Sequence, residues 1–564
     1  MSQRASQFLV SLTLLIPVGI FFWVWEYYAI NIPKWDDHAL KAFLLEYLQA
    51  PDFSGKVQAL FRQHNEHRIT ITRFIALLDF EIFGALNFKR LMLYGNIILV
   101  GMIALWWVVL KNNNKPFYTL IPIPFIWLTL SHYENMYWGM AAVQNFGVVV
   151  FSVWALYCSI SRRRGPFLLS LVLAALACLT SGNGLLVLPI GSVLLLLAPR
   201  WRRLVVWLAV SAGYVTVYFF NFQRSPANPD THFGVGSFVK GYLYFLGSFA
   251  EAFPVQNHPQ ACLILGAILF LVAVSIGFAT VFSLVRNRYE YDFAKITDLF
   301  CLGVILFVLG TALIVVYSRV GFGLEGLLTS RYKIYSFLLL LVAYLYVVIP
   351  IRGSFLSPYV SGIVFLNALY SIFSYHYHLV DAYNLRKYQT TQRFNWTFPD
   401  RTLSAPADTT LAGKLVENAP VFYDDLLPLI STASRQSFAG STAGLTGLAQ
   451  STTIEPTSQA IEISNSNYSS QRLQDSGVYF VLSSSERYYL YPALRRRNTN
   501  RKQLFLHQTY FSPGFFAEIP FSEVAKGRYA LGLLWKQGER VGILMGKDSV
   551  TTLQVEGKSI QTNW

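Results

Sequence analysis

The sequence predicts a polytopic α-helical membrane protein, with about eleven transmembrane helices followed by an extracytoplasmic C-terminal domain that is β-rich or α/β. Three observations predict it. Of the 564 residues, 54% are hydrophobic and only 13% charged, with 44 Phe, 33 Tyr and 13 Trp, whereas soluble domains carry roughly 25% charged residues. The apolar residues are gathered in blocks that can cross a ~30 Å hydrocarbon layer as helices. The Lys- and Arg-bearing connections between blocks recur in alternate loops, as the positive-inside rule requires of cytoplasmic segments.

The first block, Phe8 to Trp25, contains no charged residue. It is longer than the roughly 7–15-residue apolar core of a signal peptide, only Arg4 precedes it, and no small-x-small cleavage site follows. Further spans fall near 91–110, 116–131, 146–160, 166–180, 184–198, 203–221, 258–285, 296–317, 333–350 and 354–376. Lys111 and Lys115, Arg162 to Arg164, Arg200 with Arg202 and Arg203, Arg286 with Arg288 and Lys295, and Arg352 occupy alternate connections. These are assigned to the cytoplasm together with the N-terminus, and an odd number of spans puts the C-terminus outside. The chain is therefore expected as a multi-pass protein of the inner (plasma) membrane, with the lipid bilayer as a partner. The net charge of +15 is read as topological, and no nucleic acid is expected. Cys158, Cys178, Cys262 and Cys301 lie in or beside apolar spans, which argues against a disulfide framework or a cysteine metal site.

The chain divides into a membrane domain, 1–380, and a soluble domain, 381–564. Outside lie 31–90, 132–145, 181–183, 222–257, 318–332 and 377–564. In 31–90, Leu40, Phe43, Leu44, Tyr47 and Leu48 recur at helical spacing, and a second pattern runs from Val57 to Phe83. Two short amphipathic helices on the outer membrane surface fit this, as does a hairpin that only caps the bundle. Beyond 380, residues 431–470 are rich in Ser, Thr, Gly and Ala. Val478 to Leu482 and Tyr529 to Leu534 then read as strands. The basic run Arg495 to Arg497 with Arg501 and Lys502 reads as a solvated face or as a surface for anionic glycan or lipid.

The distinctive polar clusters all fall on the outer side. They are Trp35-Asp36-Asp37-His38, His64-Asn65-Glu66-His67-Arg68, Tyr133-Glu134-Asn135-Met136-Tyr137-Trp138-Gly139 with Gln144 and Asn145, Ser181-Gly182-Asn183-Gly184, Arg319, and Ser330-Arg331-Tyr332-Lys333. Each admits a structural explanation. Asp36 or Asp37 suits a helix N-cap, although one cap needs only one carboxylate. His64 shares a helix face with His67 and Arg68 if the segment is helical, and H-x-x-H is not the zinc-protease H-E-x-x-H. Ser181 to Gly184 reads as a tight turn. Arg319, Arg331 and Lys333 defy the positive-inside trend with only Glu325 in their loop. They either snorkel to the interface or hold a phosphate, which a guanidinium fork suits geometrically. Trp35, Trp138 and Tyr332 serve as interfacial anchors or as faces on which a sugar stacks.

In this order, these clusters resemble the GT-C superfamily of membrane glycosyltransferases over roughly residues 1–380. The signs are a carboxylate just after the first span, a long first outer loop, many spans and a soluble outer domain. The resemblance implies an inverting transferase that moves a hexose or pentose from a polyprenyl-phosphate carrier to a glycan, lipid or protein acceptor of the cell envelope. It makes Asp36 or Asp37 the catalytic base. Asp-Asp stands where many relatives have Asp-Glu or Glu-Asp, so which carboxylate is equivalent stays open, with Asp36 favoured. Candidate substrate-binding residues are His64, Glu66, His67, Arg68, Glu134, Asn135, Trp138, Gln144, Asn183, Arg319, Arg331 and Tyr332. The chemistry agrees: transfer to a hydroxyl needs a base, and the departing lipid phosphate needs positive charge, for which Arg331, Arg319 and Arg68 are candidates. No P-loop is present, and no glycine-rich run sits in the strand-to-helix context of a dinucleotide fingerprint. The reading requires no cofactor, assigns no metal ligand and leaves a divalent cation open. A flippase or transporter of lipid-linked glycans, an envelope glycan polymerase and a non-catalytic glycan receptor are the alternatives.

Overall fold

The computed structural model describes residues 3–223, 234–286, 293–397, 415–416, 448–473, 475–485, 487–537 and 540–552. Arg288 and residues 431–447 of the Ser/Thr/Gly-rich stretch 431–470 lie outside the described residues. The helices come in the order α1 (Gln3–Tyr28), α2 (Asp37–Gln49), α3 (Phe53–Phe61), α4 (Thr70–Phe83) and α5 (Phe88–Asn112). Short pieces follow: α6 (Pro122–Trp127), α7 (Tyr133–Met136) and α8 (Gly139–Ala141), which continues through a π turn (Ala142–Phe146) into α9 (Gly147–Ser159). Then come α10 (Arg164–Cys178), α11 (Val187–Leu197), α12 (Trp201–Phe219), α13 (Val235–Gly247), α14 (His258–Arg286), α15 (Phe293–Arg319), α16 (Lys333–Val348) and α17 (Leu356–Thr397).

All eleven apolar blocks read from the sequence coincide with helical segments. Among the described residues, seven helices are long and apolar enough to cross a membrane: Gln7–Tyr28, Phe88–Asn112, Gly139–Ser159, His258–Leu284, Lys295–Phe322, Ser330–Val348 and Gly353–Asn395. Phe117–Trp127, Arg164–Cys178 and Gly182–Leu197 are apolar but shorter. This architecture is compatible with a polytopic membrane protein.

Two expectations are corrected. The segment 31–90 forms three helices, not two, because the pattern from Val57 to Phe83 is cut between α3 and α4 by a turn in which Asn65 adopts φ +49°. The last helix also runs well past the expected end of its span, to Thr397. The amphipathic character of the region holds. Phe74, Leu78, Ile82 and Phe83 of α4 are exposed, at the spacing of a single apolar face.

The chain forms two compact units. The first comprises Met1–Tyr27, Ala50–Leu78 and Arg90–Tyr375. Its helices approach closely where side chains are smallest. A Cβ on Gly247 of α13 would collide with the backbone at Cys262 and Gly266 of α14, and one on Gly266 would collide with the Leu243 carbonyl. Such small-residue contacts suit apolar helices, whose attraction rests on close van der Waals packing. All four cysteines are free and buried.

The second unit comprises Tyr28–Gln49, Asp79–Lys89 and His376–Trp564. Among the described residues it holds seven antiparallel strands: β1 (Thr452–Pro456), β2 (Ala460–Asn465), β3 (Gly477–Ser483), β4 (Tyr488–Pro492), β5 (Phe515–Pro520), β6 (Gly527–Gln537) and β7 (Arg540–Thr552). They form two sheets, β1-β2-β5 and β4-β3-β6-β7. Ile461, Ile463 and Ile519 from the first sheet pack against Val478, Phe480 and Leu482 from β3. The alternate residues Tyr479 and Val481 pack on the other side with Phe394 of α17. Because β3 is buried on both faces, its run is apolar throughout rather than alternating. Helix α17 is tied to the sheet by polar contacts. Asn395 exchanges two hydrogen bonds with the Leu490 backbone, and Arg386 donates two to Asp475 at 2.9 and 3.0 Å.

The basic run is also corrected. Arg495 is buried and donates to the carbonyls of Ser470, Tyr468 and Ser512, while Arg497 donates to the Tyr377 carbonyl and to Asp381. Its guanidinium lies 3.4 Å from the centre of the Tyr377 ring. Two of the three consecutive arginines therefore bind the fold together rather than forming a solvated face.

Candidate functional site

In the first unit, Pro116, Pro122 and Pro124 interrupt the chain before and at the start of α6, where a missing N–H is tolerated, and the segment after α6 continues in short turns. Glu134 and Asn135 lie in the single turn α7, and Trp138 precedes α8. The π turn that follows carries Gln144 and Asn145; such π bulges are frequent at functional sites. Helix α5 crosses here on its backbone. A Cβ on Gly95 would enter the Ala142 backbone, so only glycine fits. Beside it, Asn96 donates to the carbonyls of Met92 and Met136.

Against this turn rests the Ser330–Tyr332 segment. Ser330 accepts a hydrogen bond from the Glu134 amide and donates to the Ser131 carbonyl at 2.7 Å. Asn145 donates to Asn135, which in turn donates to the Arg331 carbonyl. Arg331 Nε stands 3.8 Å from Glu134 Oε2, and its guanidinium lies 5.4 Å from the Trp138 ring and 6.0 Å from that of Tyr332. At 3.8 Å the charges attract without a hydrogen bond. Nε is buried and hydrogen-bonded to no described atom, while about a third of the Arg331 side chain remains accessible.

A second cluster forms around the His64–His67 turn. The two residues exchange backbone hydrogen bonds of 2.8 Å, so they pair across a turn and do not share a helix face. His67 Nδ1 accepts the Gly182 N–H, and Glu66 pairs with Arg319 at 3.8 Å. Burial holds the His67 pKa below its ordinary value, with Glu66 opposing and Arg319 adding to the shift. Since Nδ1 already accepts, the neutral ring carries its proton on Nε2, which is then a donor. The next residue, Asn183, donates to the Tyr335 hydroxyl at 2.7 Å, and the Tyr335 ring stacks on Phe245, which also touches Tyr332. The Glu66–His67–Arg319 and Glu134–Arg331 clusters are thus joined by packed side chains within one unit.

Arg68 does not join them. Its guanidinium donates to the carbonyls of Phe61, Tyr218 and Phe220 at the ends of α3 and α12, so three of its five N–H groups are committed to closing helices. His64 is likewise buried in the turn. The sequence reading also missed a partner. Lys333 is buried and forms an ion pair with Glu251, which the sequence marks only as a lone acid in an apolar stretch.

The Asp pair belongs to the second unit. Asp37 is buried and its carboxylate accepts the Lys34 N–H at 2.9 Å, fastening the turn that leads into α2. Asp36 is half-buried. The preceding Trp35 has φ +45° and is exposed, with Lys34 Nζ 4.4 Å from its ring centre. Burial lowers the Lys41 pKa to about 8 against the opposing charge of Asp37, and burial with Lys41 nearby holds His38 well below its usual value. Among the described residues, no group of three or more His, Cys, Asp or Glu is placed to hold a metal ion.

Two histidines of the first unit carry a testable pH dependence. Burial, with Arg73 and His67 adding, lowers His64 to about 4. Burial also takes His132 to about 3, against a raising hydrogen bond to the Trp127 carbonyl and with a lowering contribution from Lys333. Both are neutral in the fold and take up a proton near pH 6.5 when unfolded. Their stabilisation is therefore complete above that value and is lost as the pH falls toward the folded values. Each histidine is expected to cost about 2 kcal/mol between pH 7.5 and pH 5. Thermal unfolding of the detergent-solubilised protein should show this drop, and His132→Gln should flatten part of it. An unfolding midpoint independent of pH over that range would refute the assignment.

Compared with protein-family models, curated proteins and solved structures, the chain matches none.

Proposed function

We propose that this protein is a membrane glycosyltransferase of GT-C type. It takes a sugar from a polyprenyl-phosphate carrier outside the cytoplasm and passes it to a cell-envelope glycan, lipid or protein acceptor. One observation supports the reading above the others. Arg331 is flanked by Trp138 and Tyr332, stands beside Glu134, and has a buried Nε donor that no described atom satisfies. Buried donors are nearly always paired, and a phosphate oxygen is a fitting acceptor for a guanidinium. The flanking aromatic faces suit the C–H face of a sugar.

In the proposed reaction the acceptor hydroxyl loses its proton to a carboxylate and attacks the anomeric carbon. The glycosidic C–O bond to the carrier breaks, and the electron pair leaves on the lipid phosphate, whose charge Arg331 and Arg319 offset. A single displacement of this kind inverts the anomeric centre. Asp36 is the favoured base, since the Asp37 carboxylate already accepts the Lys34 N–H; in the first unit, Glu134 stands 3.8 Å from Arg331, the proposed phosphate ligand.

The direct test is transfer of labelled sugar by the purified, reconstituted protein from polyprenyl-phosphate hexose or pentose to envelope acceptors. Transfer that starts from the lipid donor and fails with nucleotide sugars supports the reading, and no transfer from any lipid-linked donor sinks it. The orientation has its own test. A reporter active only in the cytoplasm, fused after Trp564, is expected to be silent, and strong activity would reverse the assignment of sides.

A further inference from the structure

Two connections of the first unit carry three arginines each: Arg162, Arg163 and Arg164 before or at the start of α10, and Arg200, Arg202 and Arg203 around the start of α12. No Asp or Glu occurs anywhere between Glu134 and Asp230, so the segments that carry these arginines supply no compensating charge. The fold nonetheless fastens the two connections together. Arg200 and Arg203 both donate to the Ser161 carbonyl, and Arg203 also donates to the carbonyls of Arg162 at 2.9 Å and Arg163 at 3.3 Å. The Arg203 guanidinium lies 5.1 Å from the Phe167 ring. This arginine staple concentrates like charge at one place, with Arg163, Arg164 and Arg202 exposed beside an exposed Trp201. The placement is locally unfavourable, since Arg164, Arg202 and Arg203 occupy the first turns of their helices, where acids are preferred and none is present.

What lies next to the patch identifies its partner. One turn beyond Arg164, Leu168, Leu169 and Val172 of α10 are exposed; one turn beyond Arg202, Val205, Val206 and Leu208 of α12 are exposed. A cationic patch that borders an apolar belt matches an amphiphile with an anionic head and an acyl tail. An acidic peptide or a nucleic acid would leave the belt uncovered. We propose that the stapled arginines form a binding site for the headgroup of an anionic phospholipid whose acyl chains lie along α10 and α12. This goes beyond the glycosyltransferase reading and stands or falls separately from it.

The full-length protein, purified in a neutral detergent, is titrated with phosphatidylglycerol or phosphatidylcholine, and bound lipid is counted by native mass spectrometry. Working in micelles removes membrane orientation as a variable. The wild type is expected to prefer phosphatidylglycerol. In the triple variant Arg163→Gln, Arg164→Gln, Arg202→Gln, that preference should fall by on the order of 100-fold, at about five-fold per surface cation. The corresponding triple Lys variant keeps the charge, guards against a folding defect, and should retain most of the preference. An unchanged preference in the Gln variant overturns the proposal. So does an equal loss from Lys111→Gln with Arg352→Gln, which removes charge elsewhere. Wild-type protein that binds an oligonucleotide or polyglutamate but does not distinguish the two lipids also overturns it.

Discussion

Asp36→Asn is expected to lower glycosyl transfer by about 10²–10⁴-fold, the usual contribution of a general base, with little change in folding. Asparagine keeps the size of the side chain but its amide does not take up a proton at neutral pH. The paired variant Asp37→Asn separates catalysis from architecture. The Asn oxygen can still accept the Lys34 N–H that the Asp37 carboxylate holds, so a loss of activity in Asp37→Asn with an unchanged unfolding midpoint would move the base to Asp37. Full activity in both variants, assayed with lipid-linked sugar, would remove the pair from the chemistry. Glu134→Gln and Glu66→Gln would then be the variants to examine.

Arg331→Ala is expected to weaken binding of a polyprenyl-phosphate sugar by roughly ten- to hundred-fold, because hydrogen bonds to charged groups contribute about 1.5–3 kcal/mol. Arg331→Lys should recover only part of the loss. An ammonium restores the charge but not the fork, nor the Nε donor that lies buried beside Glu134. Removing the guanidinium also leaves Glu134 with less compensation. The double variant Arg331→Ala with Glu134→Gln therefore serves as the control for stability. Titration of the purified variants in detergent reads the effect. Wild-type affinity in Arg331→Ala would shift the phosphate role to Arg319, since Arg68 is already committed to helix ends.

Much of the fold was legible in the sequence because its signals are local. A run of apolar residues without charge must become a helix if it is to satisfy its backbone in lipid, and the expected blocks are helical apart from 116–131, which is broken into short pieces. The apolar runs Val478 to Leu482 and Tyr529 to Leu534 likewise announced β3 and β6. Local periodicity failed at the His64–His67 segment. Spacings of three and four residues fit a helix face, but Asn65 tolerates the left-handed conformation that closes a turn instead. It failed also at Arg495 to Arg497, because a charge run looks solvated until carbonyls distant in the chain are folded against it.

The sequence by itself determined the composition of the candidate site: which acids, arginines and aromatic residues flank the apolar blocks. Only the tertiary structure decided their partners. Arg319, Arg331 and Lys333 looked uncompensated because their loop offers Glu325 alone, yet each stands beside a carboxylate from another part of the chain, namely Glu66, Glu134 and Glu251. The same folding took Arg68 out of the set of phosphate ligands and set the Asp37 carboxylate to hold the Lys34 amide. The physical reason is that helix and strand periods are set by neighbours along the backbone. Charge pairing acts through space, and burial strengthens it by removing water, so it is fixed only when distant segments pack.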